Sequence, residues 1–491
     1  MGRPRTSQTR TRPTTRRRTR AATTTAAAVE PAILAWEDDP GQPPVLRNPI
    51  GRPEPNLAHG SLPVKINGPA PAPAKYQPGT AEFRYWAAAD ALGRATEFWN
   101  GLLGGTRWEP SNGPTLPVEL DEGVQFNAFY NRNGLHFFHG TTQNTTIYSG
   151  ESPDVVCHEL GHAVLDAVRP QLWDAMSAEV AGFHESFGDM SAILTALRLP
   201  QFATRVLTET QAQLGCTSRL SRLAEQLGWA IRQCRPDAVA SDCLRNAANS
   251  FFYQPPEILP PQAPAAQLSS EPHSLSRVFT AAFLDILAGM LRLQSSADEA
   301  ALATVATDAG TLLIQGVKTT PVVPTYLSQV AAHMIQVDHD RNGGRYLRPL
   351  ANGFVRHGIL SLHAAAAPPP PTEGLAPRAG AADDSLAPIA LQGARFGLAD
   401  ELFVYAASQP KRFAVAGAAA ELGEVDSVDH DRAATAFLED LVRRGRVDFG
   451  DYATEALEAP DTRKTHVVVR ERRRLVLRRQ YFDCGFDCCV R

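Results

Sequence analysis

The run Asp154-Val-Val-Cys-His-Glu-Leu-Gly-His-Ala-Val-Leu-Asp166 places His158 and His162 four residues apart, with Glu159 between them. On an α-helix, residues i and i+4 share one face, so the two imidazoles aim at one spot. Such a pair is a two-toothed site for Zn²⁺, and the intervening Glu can reach a metal-bound water. Val155, Val156, Leu160, Ala163, Val164 and Leu165 give the helix its buried remainder, and Asp154 stands where an N-cap belongs. With 13 His in 491 residues, the pattern arises by chance in roughly one or two of a hundred such chains. A hydrogen-bonded histidine pair without a metal is the plain alternative, and the surrounding sequence has to decide between them.

The composition is that of a globular protein, 43% hydrophobic and 20% charged, long enough for two or three domains. The net charge is −4; the first 20 residues hold eight Arg and no acid, which leaves −12 on the other 471. No nucleic-acid partner is expected from that balance, and the Arg run reads as a solvated tail. The seven cysteines (157, 216, 234, 243, 484, 488, 489) are odd in number and scattered, unlike a disulfide framework. No unbroken run of 18 apolar residues exists, so no membrane span is expected. The Thr-rich stretch after the Arg run makes a poor secretory signal, and localisation stays open between the cytoplasm and an unrecognised export route.

Residues 1–75 are rich in Arg, Thr, Pro and Ala without sustained periodicity and predict a disordered or extended segment. Phe83, Trp86, Ala87, Ala89, Leu92, Ala95 and Phe98 then predict a core helix ending near Asn100. Strand signals follow at 116–120, and two aromatic runs at 124–130 and 134–140 predict a hairpin able to take an extended peptide at its edge. Beyond 154 the pattern is almost wholly helical, at about 178–197, 202–250, 278–293, 298–317, 324–337 and 346–361. Strands first and helices after predict an α+β unit over 76–363, with a strand-rich front lobe and a helical rear lobe. An Ala/Pro linker over 364–388 leads to a small module at 389–491 of unassigned function. In that module, 433–444 reads as a helix, and the alternating basic run at 466–481 reads as a strand with a solvated face.

Catalytic zinc takes three protein ligands and leaves one position open. Glu185, 23 residues past His162, is the best third ligand, with Glu179 as a weaker rival. Asp189, one turn beyond Glu185, is placed to accept from the outward nitrogen of a zinc histidine and fix its tautomer.

At this point the chain resembles the thermolysin-like neutral zinc metallopeptidases, the gluzincins, over roughly residues 80–362. The zinc helix is similar to theirs, and His184-Glu-Ser-Phe-Gly-Asp189 resembles their N-E-x-x-S-D segment, keeping Glu185 and Asp189 but not the Asn or Ser. Phe126-Asn-Ala-Phe-Tyr130 resembles the family's edge strand, in which Asn127 and the Ala128 carbonyl would hold the peptide backbone. His273-x-x-Ser276 resembles the segment bearing the catalytic histidine. Arg245, 28 residues earlier, falls at the spacing of the substrate-binding arginine. The resemblance implies a zincin-like two-lobe fold and an endopeptidase with one Zn²⁺ on His158, His162 and Glu185. Glu159 would be the general base, His273 the oxyanion donor, and a peptide or protein the substrate. An inactive, gluzincin-like binding module is the alternative it leaves. Three departures stand out: no Tyr occurs from 163 to 185 to serve as the second oxyanion donor, Leu268 stands where an acidic partner of His273 is expected, with Glu271 the nearest acid, and Ala196 stands near an expected calcium carboxylate. Calcium is therefore without support in the sequence.

The remaining signals have plainer readings. Cys157 reads as a buried residue facing away from the metal. Asp338-His-Asp-Arg-Asn-Gly343 starts like a calcium loop but has Pro349 at its twelfth position, and reads as a turn. Val428–Arg432 reads as a helix N-cap, and Cys484, Cys488 and Cys489 as a weak metal or disulfide candidate.

Overall fold

The computed structural model describes residues 1–2, 31–366, 386–406, 430–454 and 463–483. The Arg run, most of the Ala/Pro linker, Val428 and Cys484, Cys488 and Cys489 lie outside the described residues. The elements of the first body are β1 (Ile33–Ala35), β2 (Ile50–Arg52), β3 (Val64–Ile66), α1 (Ala81–Leu103), β4 (Leu116–Glu119), β5 (Ala128–Tyr130), β6 (Leu135–Phe137), β7 (His139–Thr142), β8 (Thr145–Tyr148), α2 (Pro153–Val168), α3 (Gln171–Asp174), α4 (Ala178–Ala196), α5 (Pro200–Thr210), β9 (Arg222–Leu223), α6 (Glu225–Arg232), β10 (Arg245–Asn246), α7 (Pro272–Leu291), α8 (Glu299–Thr319), α9 (Tyr326–Asn342), α10 (Leu347–Arg356) and α11 (Leu362–Ala366). A second group follows: β11 (Ala387–Leu391), β12 (Leu402–Ala406), α12 (His430–Arg443), β13 (Val447–Asp448), β14 (His466–Glu471), β15 (Arg474–Arg479) and β16 (Phe482–Asp483). The protein is mixed α+β: in the first body most strands precede α2 and most helices follow it, and the second group is strand-rich with the helix α12.

Three helices carry the site, and each begins on a side-chain cap. Ser152 caps α2 by accepting from Val155 N–H with Pro153 in the first turn, Ser177 caps α4 through Val180 N–H, and Glu271 caps α7 through Ser274 N–H. Asp154 is therefore not the cap of α2 but sits in its first turn, where its Oδ2 accepts from Ala224 N–H at 2.9 Å. Helices α2 and α4 approach closely because glycines face each other. A Cβ on Gly161 would stand 2.9 Å from Gly188 Cα, and one on Gly188 would stand 2.6 Å from His158 Nδ1. Helix α7 packs behind α4, where Ser186 Oγ donates to Ser276 O at 2.9 Å.

The front sheet runs β16-β5-β6-β4-β3, with β6, β4 and β3 parallel and β5 antiparallel to β6. The expected hairpin is present but shorter than the aromatic runs, with strand pairing confined to Ala128–Tyr130 and Leu135–Phe137. Asp166, at the end of α2, anchors this hairpin: its carboxylate accepts from Tyr130 Oη at 2.8 Å and from Arg132 at 2.6 and 2.8 Å.

Residues 31–75 are not a loose wrapping. Ile33, Ala35, Trp36, Leu62, Val64 and Ile66 are core residues, and Asp39 accepts from Ser152 Oγ at 2.7 Å and from Gln226 N–H at 2.9 Å. The 202–250 stretch holds only the short helices α5 and α6, joined by turns and the β9–β10 pair. Asp338 is no loop residue either; it lies inside α9, one turn before its end at Asn342, and its Oδ2 accepts from Tyr346 N–H at 2.8 Å. Helices α7 and α8 have the length and hydropathy of a membrane span, but 83% and 56% of those windows are buried within the fold.

The C-terminal elements form a second sheet, β11-β12-β15-β14-β13, covered by α12. Its core of Leu402, Val404, Phe437, Leu438, Leu441 and Leu477 continues directly into Met176 and Ala181, beside the start of α4. The module's last strand, β16, leaves it and joins the front sheet at β5.

Candidate metal centre

His158 and His162 project from one face of α2, their rings 4.7 Å apart and almost perpendicular. Glu185 meets them from α4, with Oε2 at 3.3 Å from His158 Nε2 and 3.7 Å from His162 Nε2. Donors on a tetrahedral zinc with bonds near 2.1 Å stand about 3.4 Å apart. The two imidazole nitrogens and the carboxylate oxygen are buried, and beyond one another and His273 Nε2, at 3.2 Å from the carboxylate oxygen, they meet no hydrogen-bond partner among the described residues. Two ring nitrogens and a carboxylate oxygen converging on one buried spot is an arrangement that a cation would satisfy. His158, Glu159 and His162 also offer ligand atoms that lie within 4.8 Å of one another.

The outward nitrogens are both engaged. His158 Nδ1 donates to Asp189 Oδ1 at 2.9 Å, and Asp189 is in turn gripped by Arg245, whose Nη2 and Nε reach Oδ1 and Oδ2 at 2.7 and 3.0 Å. Burial works against charge on His158, but hydrogen bonds to Asp189 and Glu185 raise its pKa to about 9. Asp189 is held well below the usual carboxylate range by Arg245 and His158 in spite of burial. Asp189 and Glu185 thus place negative charge on both sides of the His158 ring.

His162 Nδ1 faces His184 Nδ1 at 2.8 Å. Burial and neighbouring positive charge keep both rings neutral, their pKa values falling well below the ordinary histidine value. With His162 Nδ1 as the donor and His184 Nδ1 as the acceptor, the His162 Nε2 lone pair would face Glu185. His184 thus does with a ring nitrogen what an Asn side chain would do with its carbonyl oxygen, a role the sequence reading did not assign.

Helix α7 brings in His273, with Nε2 at 3.2 Å from Glu185 Oε2. Its Nδ1 donates to Glu271 Oε1 at 2.7 Å, so Glu271 supplies the acidic partner and Leu268 is simply buried. Burial disfavours the imidazolium, but Glu185 and Glu271 raise its pKa to about 9. Its Nε2–H donates to the backbone carbonyl of Asp483 at 2.5 Å.

The other expected residues fall into place as follows. Glu159 is fully buried at the cluster. Glu179 is remote from it, bonded to Tyr253 Oη at 2.5 Å and Leu327 N at 2.9 Å, and is not a third ligand. Arg245 lies behind His158, on Asp189. Asn127 is buried with Oδ1 accepting from Ala128 N–H at 2.9 Å, and the strand pairing beside it falls at Phe129 and Tyr130. Cys157 points away from the ligands toward Ala91 O at 3.7 Å. Where the loop between the ligand helices lacks a Tyr, Trp173 O accepts from Arg479 Nε at 3.1 Å, and the Phe482 ring stacks on His184 at 3.8 Å. Neither Phe482 nor Arg479 was singled out from sequence; the signal available was that an apolar edge strand such as 128–130 needs a cover.

Among known proteins, no family model and no curated sequence matches this chain.

Proposed function

We propose that the chain is a zinc-dependent endopeptidase of the thermolysin-like, zincin type, with a strand-rich lobe (the β3–β6 sheet) and a helical lobe (α4–α10) meeting at α2. The reading is carried by one observation: Glu185 Oε2 stands 3.3 and 3.7 Å from the Nε2 atoms of His158 and His162, whose Nδ1 atoms are already engaged. His158, His162 and Glu185 would hold the metal. A zinc ion there would lower the pKa of a bound water to about 7 and polarise a peptide carbonyl.

The chain's own residues account for the rest. The Glu159 carboxylate takes the proton of the attacking water and hands it to the leaving amine. The His273 imidazolium, held by Glu271, donates its Nε2–H to the developing oxyanion, a contribution of about 3–4 kcal/mol for one such donor. Asp189 and Arg245 keep His158 from turning. A peptide would be held in extended form along β5, with Asn127 and Ala128 at its edge. Calcium has no part in the proposal.

A second reading, a catalytically inactive binding module of the same architecture, is favoured by the missing Tyr and by the chain segment lying across the site. Casein cleavage with and without a chelator separates the two. Chelator-sensitive cleavage that Glu159→Gln abolishes supports the peptidase; zinc bound at one ion per chain with no cleavage supports the binding module.

A further inference from the structure

The groove in front of the metal ligands is filled by the chain's own residues 481–483. Strand β16 runs antiparallel to β5, with Phe482 opposite Tyr130 and Asp483 opposite Phe129. This is backbone addition at the edge where an extended peptide would lie. The Phe482 ring is 3% exposed and lies parallel to His184 and to the ligand His162, at 3.8 and 5.1 Å and 17° from each plane. Asp483 presents its carbonyl to His273 Nε2 at 2.5 Å, the donor assigned above to the oxyanion. The cavity left between Glu185, His273 and the module is about 30 Å³, room for a water or two and for no peptide side chain.

The segment is also held by contacts specific to it. Arg446 Nη1 reaches Asp483 Oδ2 at 3.4 Å. The Arg479 guanidinium covers the other face of Phe482 at 4.1 Å, and Arg463 lies over the rings of Phe129 and Tyr481 at 4.4 and 4.8 Å. Arg479 is fixed in turn by Trp173 O, in the loop joining the two ligand helices. A segment with paired backbone, a buried ring on the ligand histidine and a carbonyl on the catalytic donor is bound as a peptide is bound.

From this we infer that the C-terminal module is a built-in competitive inhibitor: Tyr481-Phe482-Asp483 occupies the peptide groove, and an outside peptide enters only when β16 leaves β5. The inference rests on the peptidase reading for its consequence, but the occupancy itself can be tested without hydrolysis. It also names a ligand class, extended peptides with an aromatic residue followed by an acid, since those are the side chains the groove already holds.

Two variants weaken or remove the occupant, Phe482→Ser in the full chain and a chain ended after Gln480, each checked for native circular dichroism. In a Glu159→Gln background, a fluorescein-labelled Gln-Tyr-Phe-Asp amide, the sequence of residues 480–483, is expected to bind both variants at least tenfold more tightly than the parent. In the Glu159 proteins, hydrolysis of a quenched peptide is expected to rise at least tenfold in kcat/KM. Tighter binding with no hydrolysis in any form leaves the occupancy standing and removes the peptidase reading. Equal peptide affinity in parent and folded variants, or hydrolysis equally fast in all three, overturns the inference.

Discussion

Gly188 lies against the ring of His158 so closely that a Cβ added to it would stand 2.6 Å from Nδ1 and 2.7 Å from Cε1. The ligand helix and its partner can therefore approach to ligand distance only with no side chain at this position. Gly188→Ala should force His158 to tilt or α4 to retreat. The expected cost is about 1–3 kcal/mol in denaturant unfolding, typical of overpacking, together with weaker metal retention. A variant as stable and as metal-bound as the parent would show that the close approach is not needed.

Asp189 stands between His158 and Arg245, bonded to both. Removing it with Asp189→Ala frees the ring and leaves Arg245 buried at 7% exposure beside an imidazole. Zinc affinity, measured by competition with a chromophoric chelator, should fall by about 10–100-fold, the usual effect of losing a carboxylate behind a metal histidine. Asp189→Asn should fall between the two, since it can still accept from Nδ1.

Glu271 makes His273 a donor. Glu271→Gln keeps the helix cap through its carbonyl oxygen but removes the charge that favours the imidazolium. On the peptidase proposal, kcat should drop with KM little changed, because His273 would act on the oxyanion more than on the bound peptide. His273→Ala should lose more, on the order of 10²–10³-fold in kcat.

Glu179 provides a stability test away from the metal ligands. Burial raises its pKa to about 7, the Tyr253 hydroxyl and Leu327 N–H only partly offsetting it. A carboxyl with a raised folded-state pKa stabilises the fold fully below the unfolded value of 4.5, and that stability is lost as pH climbs through about 7. Glu179→Gln can still accept from Leu327 N–H and donate to Tyr253, so it should be immune to this loss. The variant should gain up to about 3 kcal/mol on the parent between pH 5 and pH 8, read from urea unfolding at the two values. A constant difference across that range would contradict the assignment.

How much of this was readable in the sequence depends on how local each feature is. Helix α2 could be read because i, i+4 histidines on an otherwise apolar helix form a local pattern, and α4 and α7 because their periodicity spans several turns. Ser152 took the cap from Asp154 because Pro153 fits the first helical turn, which moved the boundary by two residues. The 31–66 segment was illegible because it contributes single buried residues and a run of acids, Glu37-Asp38-Asp39, whose burial is set by distant Ser152, Arg219 and Arg205. The role of His184 was missed since a ring nitrogen standing in for an amide oxygen has no sequence signature. Least readable was β16, two residues long, whose partner strand lies some 350 positions earlier; neither length nor spacing marks such a pairing.

The central claim is that residues of α2 and α4 share one zinc ion, and metal content tests it most directly. Purified full chain should carry about one zinc per molecule by plasma mass spectrometry, and Glu185→Ala, folded by circular dichroism, should carry almost none after the same dialysis. A parent protein that retains no zinc when loaded, or a Glu185→Ala protein that retains as much as the parent, would contradict the account.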